Sequence, residues 1–177
     1  MITFGKGIGG GIVPLSGMVA SRRLREVIEG SPDGFSYGHT FSGNPLGCAV
    51  GSAVIDVIEE EGLVAAAEAR GDRLRDRLEE LRARHPIVHS LRGRGLLQGI
   101  ELRAAGGERF PAASGVCGRV AAEAKANGLM IYSCPTPVGI EHMDALMLAP
   151  PLVISDAEID EAAARLDVAL TRVESTL

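Results

Sequence analysis

Tryptophan is absent from this chain, and two tyrosines and four phenylalanines are its only aromatic residues. With 46% of the residues hydrophobic, any core must be packed from aliphatic side chains. Cysteine is scarce too. Cys48, Cys117 and Cys134 form no C-x-x-C pair and leave an odd count, so neither a disulfide framework nor a metal site is implied. Positive charge is not in excess: the net charge is −5, and no basic stripe is interleaved with aromatics, which argues against nucleic acid. No apolar run approaches the roughly 18 residues of a membrane span. After Lys6, five glycines and Pro14 interrupt the apolar stretch leading to Ala20, so no secretory signal is read there. These absences point to a cytoplasmic protein with no membrane partner.

Lysine is the scarcest charged residue. Lys6 and Lys125 are the only two among eighteen basic residues. Lys6 lies in Ile2-Thr-Phe-Gly-Lys-Gly-Ile-Gly-Gly-Gly11, between glycines and directly after a short strand-like run. Arginine cannot serve as a neutral nucleophile, whereas a desolvated lysine can lose its proton and attack a carbonyl. Taken alone, Lys6 is equally compatible with a solvated side chain. Gly5, Gly7 and Gly10 also satisfy G-x-G-x-x-G, but that fingerprint needs a helix opening on the glycines. Gly11, Pro14 and Gly17 make such a helix improbable. A P-loop fails as well, because its lysine follows the glycines and precedes Ser or Thr. Only carbonyl chemistry uses the lysine itself.

The length of 177 residues fits one domain or one lobe of something larger. Residues 12–20 read as a buried strand, and Ser21 as the cap of a short helix ending near Glu29. Residues 30–43 form a glycine-rich polar loop, too long for a simple connector. Pro45 then opens a helix whose apolar residues at 46, 50, 54, 57 and 58 predict that it is largely buried. Val64 to Arg84 is a long charged helix with one thin apolar stripe, ended by His85-Pro86. Its Arg-rich face, alternating with Glu and Asp, reads as solvated. Further on, the pattern gives a bend at 92–95, strands near 96–102, 129–132 and 146–148, and a helix over 114–127. Ser155-Asp-Ala-Glu158 is a capping box for a final amphipathic helix. The fold class is α/β, with a smaller α+β lobe from about residue 87.

Two loops carry chemistry-bearing residues: Gly5–Gly11 with Lys6, and Tyr37-Gly-His-Thr-Phe-Ser-Gly43. The second precedes a helix start, where free N–H groups favour an anion, and a hydroxyl on Thr40 or Ser42 could add a hydrogen bond. A carbonyl-attacking lysine beside a phosphate-binding loop suits pyridoxal 5′-phosphate. His39, Thr40 and Ser42 taken singly read equally well as turn residues.

In Thr3-Phe-Gly-Lys-Gly-Ile-Gly-Gly-Gly11, Pro14-Leu-Ser-Gly17, His39-Thr-Phe-Ser-Gly-Asn-Pro45, Arg92-Gly-Arg-Gly-Leu96, Gly99-Ile-Glu-Leu102 and Ala149-Pro-Pro-Leu-Val-Ile154 the chain resembles the C-terminal part of a class-III aminotransferase. That family consists of fold-type-I pyridoxal-phosphate enzymes, and the motifs run the whole length in order. The resemblance implies that residues 1–86 are the tail of the cofactor-binding large domain, with a long bridging helix. It makes residues 87–177 the C-terminal small domain.

Lys6 matches the lysine that holds the cofactor covalently and then moves a proton on the substrate. Thr40 matches the threonine that reaches the cofactor phosphate of the neighbouring subunit, implying a homodimer. The partners implied are a small-molecule amino donor and a keto acceptor. An aminomutase of the same family, or a non-catalytic remnant, are the alternatives.

Two departures accompany the resemblance. Family members carry a long stretch before the lysine that supplies a phosphate cup, an aromatic ring over the pyridine and an aspartate on its nitrogen. The chain as given is therefore expected to be an incomplete enzyme. Members acting on ornithine-type substrates carry an arginine where this chain has Met147, and pyruvate users carry one near Ile140. No arginine occurs between Val120 and Ala164, so the substrate carboxylate has no evident clamp unless Arg92 or Arg94 substitutes.

Overall fold

The computed structural model describes residues 1–134 and 141–177. The chain divides into two compact units, Met1–Leu63 and Val64–Leu177. Among the described residues no helix is long and apolar enough to cross a membrane.

In the first unit, strands β1 (Ile2–Phe4) and β2 (Gly17–Val19) form an antiparallel pair, with Ile2 opposite Val19 and Phe4 opposite Gly17. The residues between them make a glycine-rich loop that begins as a 3-10 turn over Lys6–Gly9. The strand expected over 12–20 is thus confined to its last third. Pro14 supplies no N–H, and Ile12 is 78% exposed rather than buried. Helix α1 (Arg22–Glu29) has Ser21 at its N-cap position, but the hydroxyl makes no capping bond.

Helix α2 (Pro45–Glu60) starts where Pro45 predicts, and the Asn44 side chain accepts the Gly47 N–H at 3.1 Å. Its burial is far less than its apolar sequence predicts. Only Gly47 and Gly51 are buried, while Leu46, Ile55 and Val57 stay exposed.

The second unit opens with α3 (Leu63–Arg84), followed by β3 (Val88–Arg94), β4 (Leu97–Leu102), α4 (Val116–Ala126), β5 (Tyr132–Cys134), β6 (Asp144–Leu148) and α5 (Asp156–Glu174). The four strands form one antiparallel sheet in the order β3-β4-β6-β5. Strand periodicity places Ile100, Leu102, Leu146 and Leu148 in a single core with Val116 and Val120 of α4 and Ile159, Leu166 and Leu170 of α5. The capping box at Ser155 and Glu158 forms as its spacing predicts.

The stripe on α3 also lies in this core: Leu74, Leu78 and Leu81 are each 1% exposed. Gly71 lets the helix cross the β3–β4 turn, because a Cβ there would stand 2.3 Å from Gly95 Cα. The long helix therefore belongs to the second compact unit.

The Arg-rich face of α3 is not simply solvated. Arg73 and Arg77 both bond Asp160 of α5, and Arg84 bonds Asp167 at 2.6 Å. The two guanidinium groups hold the Asp160 carboxyl at about 2, below its ordinary 3.8. His85, buried at the end of α3, sets Nε2 2.6 Å from Asp167 and Nδ1 2.7 Å from Glu174. These contacts tie α3 to α5.

Candidate active site

Lys6 is the residue with the least ordinary backbone. Its φ of 56° is positive, and among the described residues no other non-glycine has a positive φ. An L-residue adopts this left-handed region at a cost of roughly 1–2 kcal/mol. Such conformations persist only where the surroundings over-determine them, and they concentrate at functional sites. The Lys6 side chain is exposed, and its amine has neither a hydrogen bond nor an ion pair among the described residues.

The loop around Lys6 is held from within and from outside. The N–H of Gly10 donates to the Gly7 carbonyl at 2.9 Å, and those of Ile12 and Val13 donate to the Gly9 carbonyl at 2.9 and 3.2 Å. The β1–β2 pairing fixes both ends. Against its flank lies α2, where Leu15 rests on the two buried glycines. A Cβ at Gly51 would stand 2.7 Å from Leu15 Cδ2, and one at Gly47 would stand 3.6 Å from Leu15 Cδ1. Sequence reasoning overlooked these glycines. Their four-residue spacing inside a helix was the available signal, because interior glycine weakens a helix unless close approach requires it.

Thr40 sits in the turn that leads into α2, and its hydroxyl has no partner among the described residues. Its neighbours are engaged: the Ser42 hydroxyl accepts the His39 N–H at 2.9 Å, and the Tyr37 hydroxyl lies 3.1 Å from His39 Nε2. The helix end itself is a poor anion cradle. Pro45 lacks an N–H, the Asn44 side chain takes that of Gly47, and the Asn44 carbonyl takes that of Cys48. Of the two hydroxyls weighed for an anion, Thr40's makes no hydrogen bond among the described residues, while Ser42's accepts one.

A cavity of about 490 Å³ lies beside this turn, lined by Leu15, Ser16, Phe41, Ser42, Asn44 and Cys48 among others. Neither Lys6 nor Thr40 lines it, and both lie in the first unit.

Nearly the whole chain matches one protein family. The family described as aminotransferase class-III matches residues 1–170. This chain belongs to the class-III aminotransferase family. An acetylornithine aminotransferase of Bifidobacterium longum is 39% identical over 93% of the chain, which covers 33% of that enzyme. A transaminase from the marine bacterium Virgibacillus superposes with a TM-score of 0.89 at 32% identity, over 98% of this chain and 39% of that one. An amine transaminase from an uncultivated Pseudomonas species, solved in its PLP-bound form, gives a TM-score of 0.85 at 28% identity, over 96% and 38%. The chain thus spans well under half the length of these relatives. Its fold is the corresponding part of the α/β transaminase fold.

The two arginines weighed as a replacement clamp, Arg92 and Arg94, lie in the second unit and differ in their pairing. The bend expected at 92–95 is instead strand through Arg94, turning at Gly95-Leu96. Arg92 is committed to the buried Glu101 at 2.9 Å, which also accepts from Ser90 and Arg103. Burial opposes the ionised carboxylate, but Arg103, Ser90 and Arg92 together hold Glu101 below its ordinary range. Arg94 has no ion-pair partner among the described residues and lines a shallow, largely apolar cavity of about 420 Å³ with Leu97 and Met147. The position near Ile140 lies outside the described residues.

Asp144 opens β6 and is almost fully buried. It accepts the Cys117 N–H at 2.8 Å at the start of α4 and faces His142 Nε2 at 2.9 Å. Burial and this carboxylate push the Cys117 thiol up to about 11. The group caps a helix, and its high-pKa thiol is a poor nucleophile.

Proposed function

We propose that this chain carries the cofactor-anchoring part of a pyridoxal-phosphate-dependent transaminase, with Lys6 as the anchoring and proton-moving residue. The observation that carries the reading is Lys6 itself: an amine without a partner, on a left-handed corner of a loop clamped on both sides. The donor set fits the cofactor, since a primary amine suits its aldehyde and the free Thr40 hydroxyl suits its phosphate. When bound, pyridoxal phosphate supplies that aldehyde and a ring able to delocalise the electron pair left at the substrate Cα.

Lys6 would hold the cofactor through its amine, and the same amine, when free, would take the proton from the donor Cα and return it, a role arginine cannot fill. Thr40 donates its hydroxyl to the phosphate in the neighbouring subunit of a homodimer. In the family's terms, residues 1–86 are the tail of the large domain and 87–177 the small domain. The substrates are an amino acid or amine and a keto acid or aldehyde, handled in the cytoplasm.

The test is retention of the cofactor. After incubation with pyridoxal phosphate and dialysis, the wild-type chain should keep a visible absorbance band that added amino donors discharge. Lys6→Arg should lose both. Equal retention and discharge in the variant would overturn the assignment.

A further inference from the structure

The contact between Leu15 and Gly51 does more than pack a helix against a loop. Three points on one face of α2, at Gly47, Gly51 and Val54, meet the Lys6 loop. The two Leu15 methyls straddle the glycines, with Cδ1 and Cδ2 at 3.6 and 2.7 Å from the positions their Cβ atoms would take. Ile8 lies against the same spot on Gly51, its Cγ1 3.8 Å and its carbonyl oxygen 3.9 Å from that Cβ position. One turn further along α2, a Cβ on Gly10 would be 3.2 Å from Val54 Cγ2. Ile8 and Leu15 bracket the loop, and Lys6 stands two residues before Ile8.

β1 and β2 hold the ends of the loop, and hydrogen bonds to the Gly7 and Gly9 carbonyls tie its middle together from within. From outside, the middle rests on the α2 face. A Cβ at 47 would still fit, but one at 51 would meet Leu15 Cδ2 at 2.7 Å, so a bulky side chain there would push Leu15 off the helix and loosen the turn at Lys6. Glycine inside a helix is otherwise unfavourable, so position 51 trades helix strength for close approach.

We infer that Leu15, seated on Gly51, is a positioning residue for Lys6: it sets where the amine stands relative to the carbonyl it attacks. This rests on the reading of Lys6 as the cofactor anchor. Leu15 touches neither cofactor nor substrate and acts through the loop backbone.

The chain supplies its own control, because Lys125 reports general amine reactivity in the same sample. Wild type, Gly51→Leu, Gly51→Ala and the double variant Gly51→Leu with Leu15→Ala are treated with pyridoxal phosphate and borohydride. The pyridoxyl mass on Lys6 relative to Lys125 is read by peptide mapping, and amide exchange over residues 8–13 is read in parallel. Displacing the amine by about an ångström should lower the Lys6:Lys125 ratio by about 10- to 100-fold in Gly51→Leu. Gly51→Ala, which favours the helix, should shift the ratio in the same direction by less. Removing the bulk of Leu15 in the double variant should restore much of both readouts.

A Gly51→Leu chain that keeps the wild-type ratio overturns the inference and leaves the function of Lys6 standing. A wild-type ratio near one, with the loop amides protected, overturns the anchor reading and this inference with it.

Discussion

Replacing Lys6 with glycine should stabilise its loop while removing its chemistry. The left-handed conformation costs lysine roughly 1–2 kcal/mol that glycine does not incur. Glycine gives back about 0.5–1 kcal/mol through the greater freedom of its unfolded chain. The net gain expected for Lys6→Gly is therefore about 0.5–1 kcal/mol. Lys6→Ala keeps the strain and loses an exposed side chain without partners, so it should stay within about 0.5 kcal/mol of wild type.

The informative quantity is the difference between the two variants, about 1 kcal/mol, or about a fivefold change in an opening equilibrium. Native-state exchange at the amides of Gly10, Ile12 and Val13, all bonded within the loop, measures that equilibrium locally. These amides should exchange about fivefold more slowly in Lys6→Gly than in Lys6→Ala. Equal rates would mean that the left-handed lysine stores no strain, and the argument from backbone to function would lose its first step.

The second unit offers three further tests. Asp144→Ala strands the buried Cys117 N–H at the start of α4 and should lower stability by about 2–3 kcal/mol in urea unfolding, with Asp144→Asn losing less because it keeps an acceptor. The depressed Asp160 carboxyl contributes stability at neutral pH that is fully present above its ordinary 3.8 and fades as pH falls through about 2. An acid titration by circular dichroism should therefore lose part of its midpoint shift over that window in Asp160→Asn. The exposed Cys48 should react first with an aromatic disulfide at pH 8, and Cys117 last. Burial compounds a thiol at about 11, which leaves roughly one part in a thousand as thiolate.

The sequence was most readable where a local pattern and its partner lie in the same few residues. Ser155 and Glu158 satisfy each other across one turn, so their capping box is visible without a fold. The stripe on α3 was equally plain, and its Leu74, Leu78 and Leu81 lie in the core. Burial was harder to foresee. The apolar face of α2 states what that helix favours, but only its glycines are covered in this chain.

Long-range pairing was beyond reach. Asp144 meets an N–H 27 positions away, and the arginines of α3 meet Asp160 and Asp167 more than eighty positions on. At the site, Lys6 was singled out by its chemistry, whereas chemistry left Thr40 and Ser42 as alternatives and only the resemblance chose Thr40. The left-handed backbone of Lys6 and the glycine seat beneath its loop required coordinates.

The account turns on which amine this chain presents to a carbonyl. Trapping settles it directly: the chain is mixed with pyridoxal phosphate, reduced with borohydride, digested and mapped by mass. The pyridoxyl group should lie on Lys6. A folded chain that carries it on Lys125, or on neither lysine, would contradict the account.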